Sequence, residues 1–243
     1  MSTRIAFVLV GLFTASLAEA APNDGGVARN AFARGSSAMD AGRTEEARDA
    51  FATAREAAPD WGLAHLSFGI AEQTVDPDSA RALDALEAAV RLEPENPKAR
   101  YHLGLAYDRK GRFSDAAKQY AIAIERRPQL YDAQFQLANA LRMSGDLTGA
   151  IGAFEVLLRG DPTHIGALSA LSEVYENAQR LEDAEAALQT ITRLQPNVAY
   201  HQYRLAKFYE RTGNTNKAHA AYVRADSLKP QQQRKMRPLL PSR

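Results

Sequence analysis

Five histidines, His65, His102, His164, His201 and His219, are the first side chains to weigh for metal or acid–base chemistry. No spacing among them brings two onto one helix face. The chain has no His-Glu-x-x-His run, no phosphate-cradling glycine loop and no dinucleotide-binding turn. Glu173 and Glu176 stand three residues apart, where two carboxylates share a helix face. A hydrolytic pair also needs a pocket around it, and this pair reads as a solvated face. Tyr203 and Lys207 have the one-turn spacing of some reductase active sites, but no nucleotide-binding strand precedes them. Cysteine is absent, which excludes structural disulfides, thiolate nucleophiles and thiolate metal sites. No catalytic residue, metal or cofactor is expected.

Composition leaves binding open and restricts its kind. The chain has 243 residues, 45% hydrophobic and 24% charged, ordinary for a domain with a substantial core. Alanine is abundant and, with Glu, Arg and Leu, favours helix. Thirty basic residues face 29 acidic ones, so no overall charge draws the chain to nucleic acid. The N-terminus has the pattern of a secretory signal: Arg4, an apolar run from Ile5 to Leu17, and Ala18-Glu19-Ala20 before Ala21-Pro22. Cleavage is expected after Ala20, giving an exported, periplasmic protein. The alternative is an uncleaved anchor, although 13 apolar residues are short of the ~20 a span needs. Residues 21–27 read as a flexible lead. Residues 231–243 read as a tail, with a short polar capping helix over 231–237 and basic residues Arg234, Lys235, Arg237 and Arg243. That tail is solubilising or weakly drawn to an anionic lipid surface.

The elements that carry these residues repeat. Pro59, Pro94, Pro128, Pro162, Pro196 and Pro230 are 35, 34, 34, 34 and 34 residues apart. With proline at position 32 of a 34-residue unit, position 20 is alanine six times: Ala47, Ala82, Ala116, Ala150, Ala184 and Ala218. Position 24 is bulky: Phe51, Leu86, Tyr120, Phe154, Leu188 and Tyr222. Position 8 is small at Gly35, Gly69, Gly104, Ala138, Ser172 and Ala206, and position 11 holds Tyr107, Tyr175 and Tyr209. Position 15 is glycine at Gly42, Gly111, Gly145 and Gly213. Positions 4, 7, 8 and 11 share one face of a first helix, and positions 20, 24 and 27 one face of a second. Glycine at 15 permits the positive φ that ends the first helix, and proline at 32 biases the residue before it away from helix. The predicted helix pairs are 28–41/44–57, 61–74/77–92, 97–110/113–126, 131–144/147–160, 165–178/181–194 and 199–212/215–228. The second unit carries one extra residue within Gln73–Ser79, where Asp76 can cap a helix beginning at Pro77.

This pattern resembles the tetratricopeptide repeat family over residues 28 to about 232. The resemblance implies an all-α, right-handed α-solenoid of six helix-turn-helix hairpins (28–60, 61–96, 97–130, 131–164, 165–198 and 199–232). It further implies that the first, or A, helix of each hairpin lines a concave groove. Positions 2, 5, 9 and 12 then face a partner. They are Lys98, Tyr101, Leu105 and Asp108 in the third repeat, and Asp132, Phe135, Asn139 and Arg142 in the fourth. The fifth offers Gly166, Ser169, Glu173 and Glu176, the sixth Tyr200, Tyr203, Lys207 and Glu210. Aromatics among mixed charge suit a protein or peptide partner, and Asn139 can hold a partner backbone by its amide. A competing reading packs Tyr101, Phe135 and Tyr203 partly against the neighbouring A helix. The chaperone-tail clamp of some family members, Lys at position 5 and Asn at position 9, is absent: position 5 holds Phe32, Leu66, Tyr101, Phe135, Ser169 and Tyr203. The expected function is a non-catalytic interaction scaffold of the cell envelope. The alternative is a structural subunit of an envelope assembly, secretion or polysaccharide complex that uses its convex face and ends.

Overall fold

A computed structural model of the chain describes residues 26–236. The expected signal, nearly all of the lead and the last residues of the tail lie outside the described residues. Those described form twelve α-helices and no strand. In pairs they are α1 Val27–Asp40 and α2 Thr44–Ala57, α3 Gly62–Val75 and α4 Ala80–Leu92, and α5 Pro97–Arg109 and α6 Phe113–Arg126. Next come α7 Tyr131–Met143 and α8 Leu147–Gly160, α9 Ile165–Asn177 and α10 Leu181–Leu194, and α11 Ala199–Arg211 and α12 Thr215–Met236. They fall into two compact bodies, divided between Ala133 and Gln134.

The turns explain the helix ends. Gly42, Gly111, Gly145 and Gly213 have φ of 71, 70, 87 and 76°. In each case the next N–H reaches back to the position-11 carbonyl, as from Arg112 to Tyr107 at 2.9 Å and from Asn214 to Tyr209 at 2.8 Å. The fifth repeat makes the same turn with Gln179 at φ 60°. At the other end of each hairpin, Ala58, Glu93, Arg127, Asp161 and Gln195 stand before a proline with φ from −128 to −142°. The sixth proline behaves differently. Helix α12 runs through Pro230 to Met236, so the separate capping helix expected over 231–237 is instead a continuation of α12. In the other five repeats the chain must turn after the proline to reach the next A helix. No further A helix follows α12 among the described residues, and proline alone does not end the helix.

Within a hairpin, the small residue at position 8 makes room for the bulky one at position 24. A Cβ on Gly104 would lie 2.5 Å from the Tyr120 ring, one on Gly35 2.6 Å from Phe51, and one on Gly69 2.7 Å from Leu86. Those bulky residues are buried, and with the position-20 alanines and Ile191 they form the core. Between hairpins, position-11 tyrosines act as buckles. Tyr107 Oη donates to Glu87, Tyr175 Oη to Glu155 and Tyr209 Oη to Glu185, each at 2.9 Å on the preceding B helix. A cation covers each ring: Arg112 at 4.1 Å, Arg180 at 4.6 Å and Lys217 at 5.1 Å.

The second repeat departs from this plan. Its position 11 is Glu72, buried, accepting from Ser79 Oγ at 2.8 Å with Arg81 and Arg48 at 3.7 and 3.8 Å. Asp76 does not cap a helix at Pro77. Its Oδ1 accepts the Asp78 N–H at 3.1 Å, tying a local turn, and α4 begins three residues later than expected, at Ala80.

Candidate partner-binding site

In the N-terminal body, Lys98, Tyr101, Leu105 and Asp108 follow one face of α5 and are all half-buried. The Tyr101 ring lies 5.9 Å from Tyr120 and edge-on to His102 at 5.2 Å. Its hydroxyl pKa is raised by burial. Asp108 accepts a 2.6 Å hydrogen bond from Tyr120 Oη. Burial raises the pKa of that carboxyl and also of the phenol, where Asp108 adds to the effect. Asp108 is thus committed to holding the position-24 ring of its own hairpin. The Lys98 ammonium pKa is pushed down by burial and by the nearby Arg127.

The C-terminal body holds the larger set. On α7, Phe135 stacks on His164 at 5.1 Å and meets Phe154 edge-on at 6.1 Å. His164 is itself fixed, because its Nδ1 caps α9 by accepting the Ala167 N–H at 3.0 Å. Asn139 Nδ2 donates to the Phe135 carbonyl at 3.1 Å, one turn back, which leaves its Oδ1 to accept. Arg142 Nη1 stands 3.9 Å from Glu173 Oε2, and its Nε lies out of water without a hydrogen-bond partner. On α9, Ser169 Oγ accepts from Arg204 at 2.8 Å, and Arg204 also reaches Glu173 at 3.2 Å. On α11, Tyr203 remains 42% exposed, its ring edge-on to Tyr222 at 5.7 Å. Lys207 donates to Glu210 at 2.8 Å, and this bond chiefly raises its pKa. Tyr200, beside Tyr203, is 63% exposed.

Two consequences follow. Glu173 and Glu176 are not a working carboxylate pair, since Glu173 turns to Arg204 and Glu176 to Arg211. Among the described residues, no three His, Asp or Glu side chains converge where a metal ion could sit. Aromatic side chains at position 5 also do double duty. Phe32, Tyr101, Phe135 and Tyr203 each lean on the position-24 ring of their own hairpin, at 5.2 to 6.1 Å. Phe32 is buried outright, whereas Tyr203 keeps an open face.

Sequence reasoning passed over Arg204 and Arg211. Both have partners about one repeat earlier, Arg204 31 residues after Glu173 and Arg211 35 after Glu176. A search for opposite charges one repeat length apart would have found them.

Profiles described as tetratricopeptide repeat match residues 32–72, 78–129 and 106–165, a second profile of that description matches 141–204, and a third 202–232. The chain belongs to the tetratricopeptide repeat family. Among curated proteins, this tetratricopeptide repeat chain is 31% identical over 115 residues to the cytochrome c-type biogenesis protein CycH of Pseudomonas aeruginosa. That stretch is 46% of this chain and spans only 28% of the relative. Among solved structures, YrrB, described as a TPR protein with an unusual peptide-binding site, superposes with a TM-score of 0.63 at 20% identity, over 75% of this chain and 94% of that one. MamA superposes with a TM-score of 0.66 at 18% identity, over 74% of this chain and 98% of that one. At these identities the likeness concerns the fold: an all-α tetratricopeptide repeat solenoid.

Proposed function

We propose that this protein is a non-catalytic scaffold of the cell envelope that holds a segment of a partner protein against its A helices. The observation that carries the reading is the face of the C-terminal body. Tyr200 and Tyr203 stand open there, Phe135 is half-open, Asn139 has its Oδ1 free to accept, and Arg142 makes only a 3.9 Å approach to Glu173. Rigid aromatic area beside a few polar groups with spare capacity gives contact at low entropic cost. The protein-interaction role is in keeping with YrrB, described as peptide-binding. The envelope setting draws on the N-terminal signal pattern and on the similarity to a cytochrome c biogenesis protein.

The test is capture from an envelope extract of the source cells on the immobilised chain. Wild type recovers a partner, and Tyr200→Ser with Tyr203→Ser loses it while the melting temperature stays within about 2 °C, as expected for exposed side chains. These two residues suit the test better than Tyr101 and Phe135, which are half-buried, because both keep an open face. Retained capture by the double variant would overturn the reading. It would favour the second one, a structural subunit bound through its B helices, where Val156 and Val223 are 49% and 55% exposed. Export is checked separately by the N-terminal sequence of the cell-derived protein, expected to begin at Ala21.

A further inference from the structure

We propose that the A-helix face of the C-terminal body selects a partner segment bearing a carboxylate, taken by Arg142, three residues along an extended chain from an apolar side chain seated on Phe135. This rests on the partner-binding reading above and narrows it to a class of sequence.

The charge pattern of that face leads here. Within the C-terminal body, from Gln134 onward, helices α7, α9 and α11 present four cations, Arg142, Arg204, Lys207 and Arg211, to three carboxylates, Glu173, Glu176 and Glu210; Asp132, in the first turn of α7, lies before that body. Lys207 takes Glu210, Arg211 takes Glu176, and Arg204 takes Glu173 with support from Ser169. Arg142 is the cation left over. Its 3.9 Å approach to Glu173 is too long for a hydrogen bond. Its Nε–H is out of water, so a partner would meet the guanidinium at its Nη groups, on a side chain that keeps 30% of its surface exposed. A guanidinium meets a carboxylate along one edge with two parallel N–H donors, so an incoming acid supplies what Glu173 does not. A basic residue at that place would meet a cation, so the position discriminates by sign.

Spacing sets the motif. Phe135 and Arg142 are seven residues apart, about 10 Å along α7 at ~1.5 Å per residue. A segment in the polyproline II conformation advances ~3.1 Å per residue with about three residues per turn, so residues three apart lie on one face and bridge about that distance. Asn139 lies between them with its Oδ1 free to accept a backbone N–H of the segment. The preferred sequence is therefore an apolar residue, two of any kind, then Asp or Glu.

The experiment is fluorescence anisotropy on the full-length chain with two labelled, C-terminally amidated peptides. One is Gly-Ser-Leu-Ser-Ser-Asp-Ser-Gly, the other the same with Asn for Asp. The acidic peptide is expected to bind about tenfold tighter, the scale of one charge-assisted pair. Arg142→Gln brings the two to within about twofold, and Arg142→Lys retains part of the preference, since an ammonium keeps the charge without the fork. Phe135→Leu, which preserves apolar bulk in the hairpin, weakens both peptides alike. Equal binding of the two by wild type, a preference that survives Arg142→Gln, or no binding of either peptide overturns the carboxylate assignment. None of these bears on the broader scaffold reading, which stands or falls on capture by the Tyr200/Tyr203 variant.

Discussion

Gln179 shows what one residue costs in a repeated turn. It holds the left-handed backbone that glycine holds at four sister positions, and a side chain there is strained by ~1 kcal/mol. Gln179→Gly should raise stability by about 0.5–1 kcal/mol, whereas Gly111→Ala should lower it by about 1 kcal/mol or more. Urea unfolding of both variants checks the pair of signs. His102 makes a pH-dependent contribution. Burial first, and Lys98 second, push its pKa down to about 3, against about 6.5 in the unfolded chain. The unfolded state therefore binds a proton that the folded state refuses. The contribution is complete above pH 6.5 and is lost as the pH falls toward 3. Between pH 7.5 and 4.5 the loss due to this residue is about 2–3 kcal/mol. His102→Gln should flatten that part of the urea-derived stability profile, and an unchanged slope would contradict it.

At the scale of elements, the tyrosine buckles tie one hairpin to the one before. Tyr175→Phe should cost about 1 kcal/mol, and a double-mutant cycle with Glu155→Gln should return a coupling of about 0.5–1 kcal/mol. Thermal denaturation of the four proteins measures it; additivity would mean the bond carries no energy. Position 11 marks how far the sequence was legible. Its periodicity placed Tyr107, Tyr175 and Tyr209 on an inward face, and the period of the prolines placed all twelve helices, because steric signals at fixed spacing are local. Hydroxyl partners were not legible, since they lie on another helix and depend on how hairpins dock. The same distinction applies to the candidate site. Of the residues at positions 2, 5, 9 and 12, Asp108 is taken by Tyr120, Ser169 by Arg204 and Glu176 by Arg211. Pro230 teaches the converse: a breaker read locally was overridden because nothing beyond it, among the described residues, required the chain to turn.

For the whole molecule, stability should follow neighbours along the chain, since within each body a hairpin packs on the one beside it in sequence. Leu188→Ala, which empties a buried position-24 site, should cost about 2–4 kcal/mol. The loss of amide protection should centre on α9 to α12 and leave α1 to α4 close to wild type in hydrogen exchange. Uniform loss along the chain would contradict a chain of nearest-neighbour terms. Glu72 adds a constraint of another sort. Five hairpins bear a tyrosine, leucine or alanine where the second bears this carboxylate, which gathers Arg48 from the hairpin before it and Arg81 and Ser79 from its own. Hairpins of a periodic array look like interchangeable parts, free to be shuffled, duplicated or deleted. This one is fitted to its slot: transplanted elsewhere, its buried Glu72 would keep Arg81 and Ser79 and lose Arg48, which belongs to the hairpin before it. The order of the modules is thereby written into the interior of the molecule, at one address.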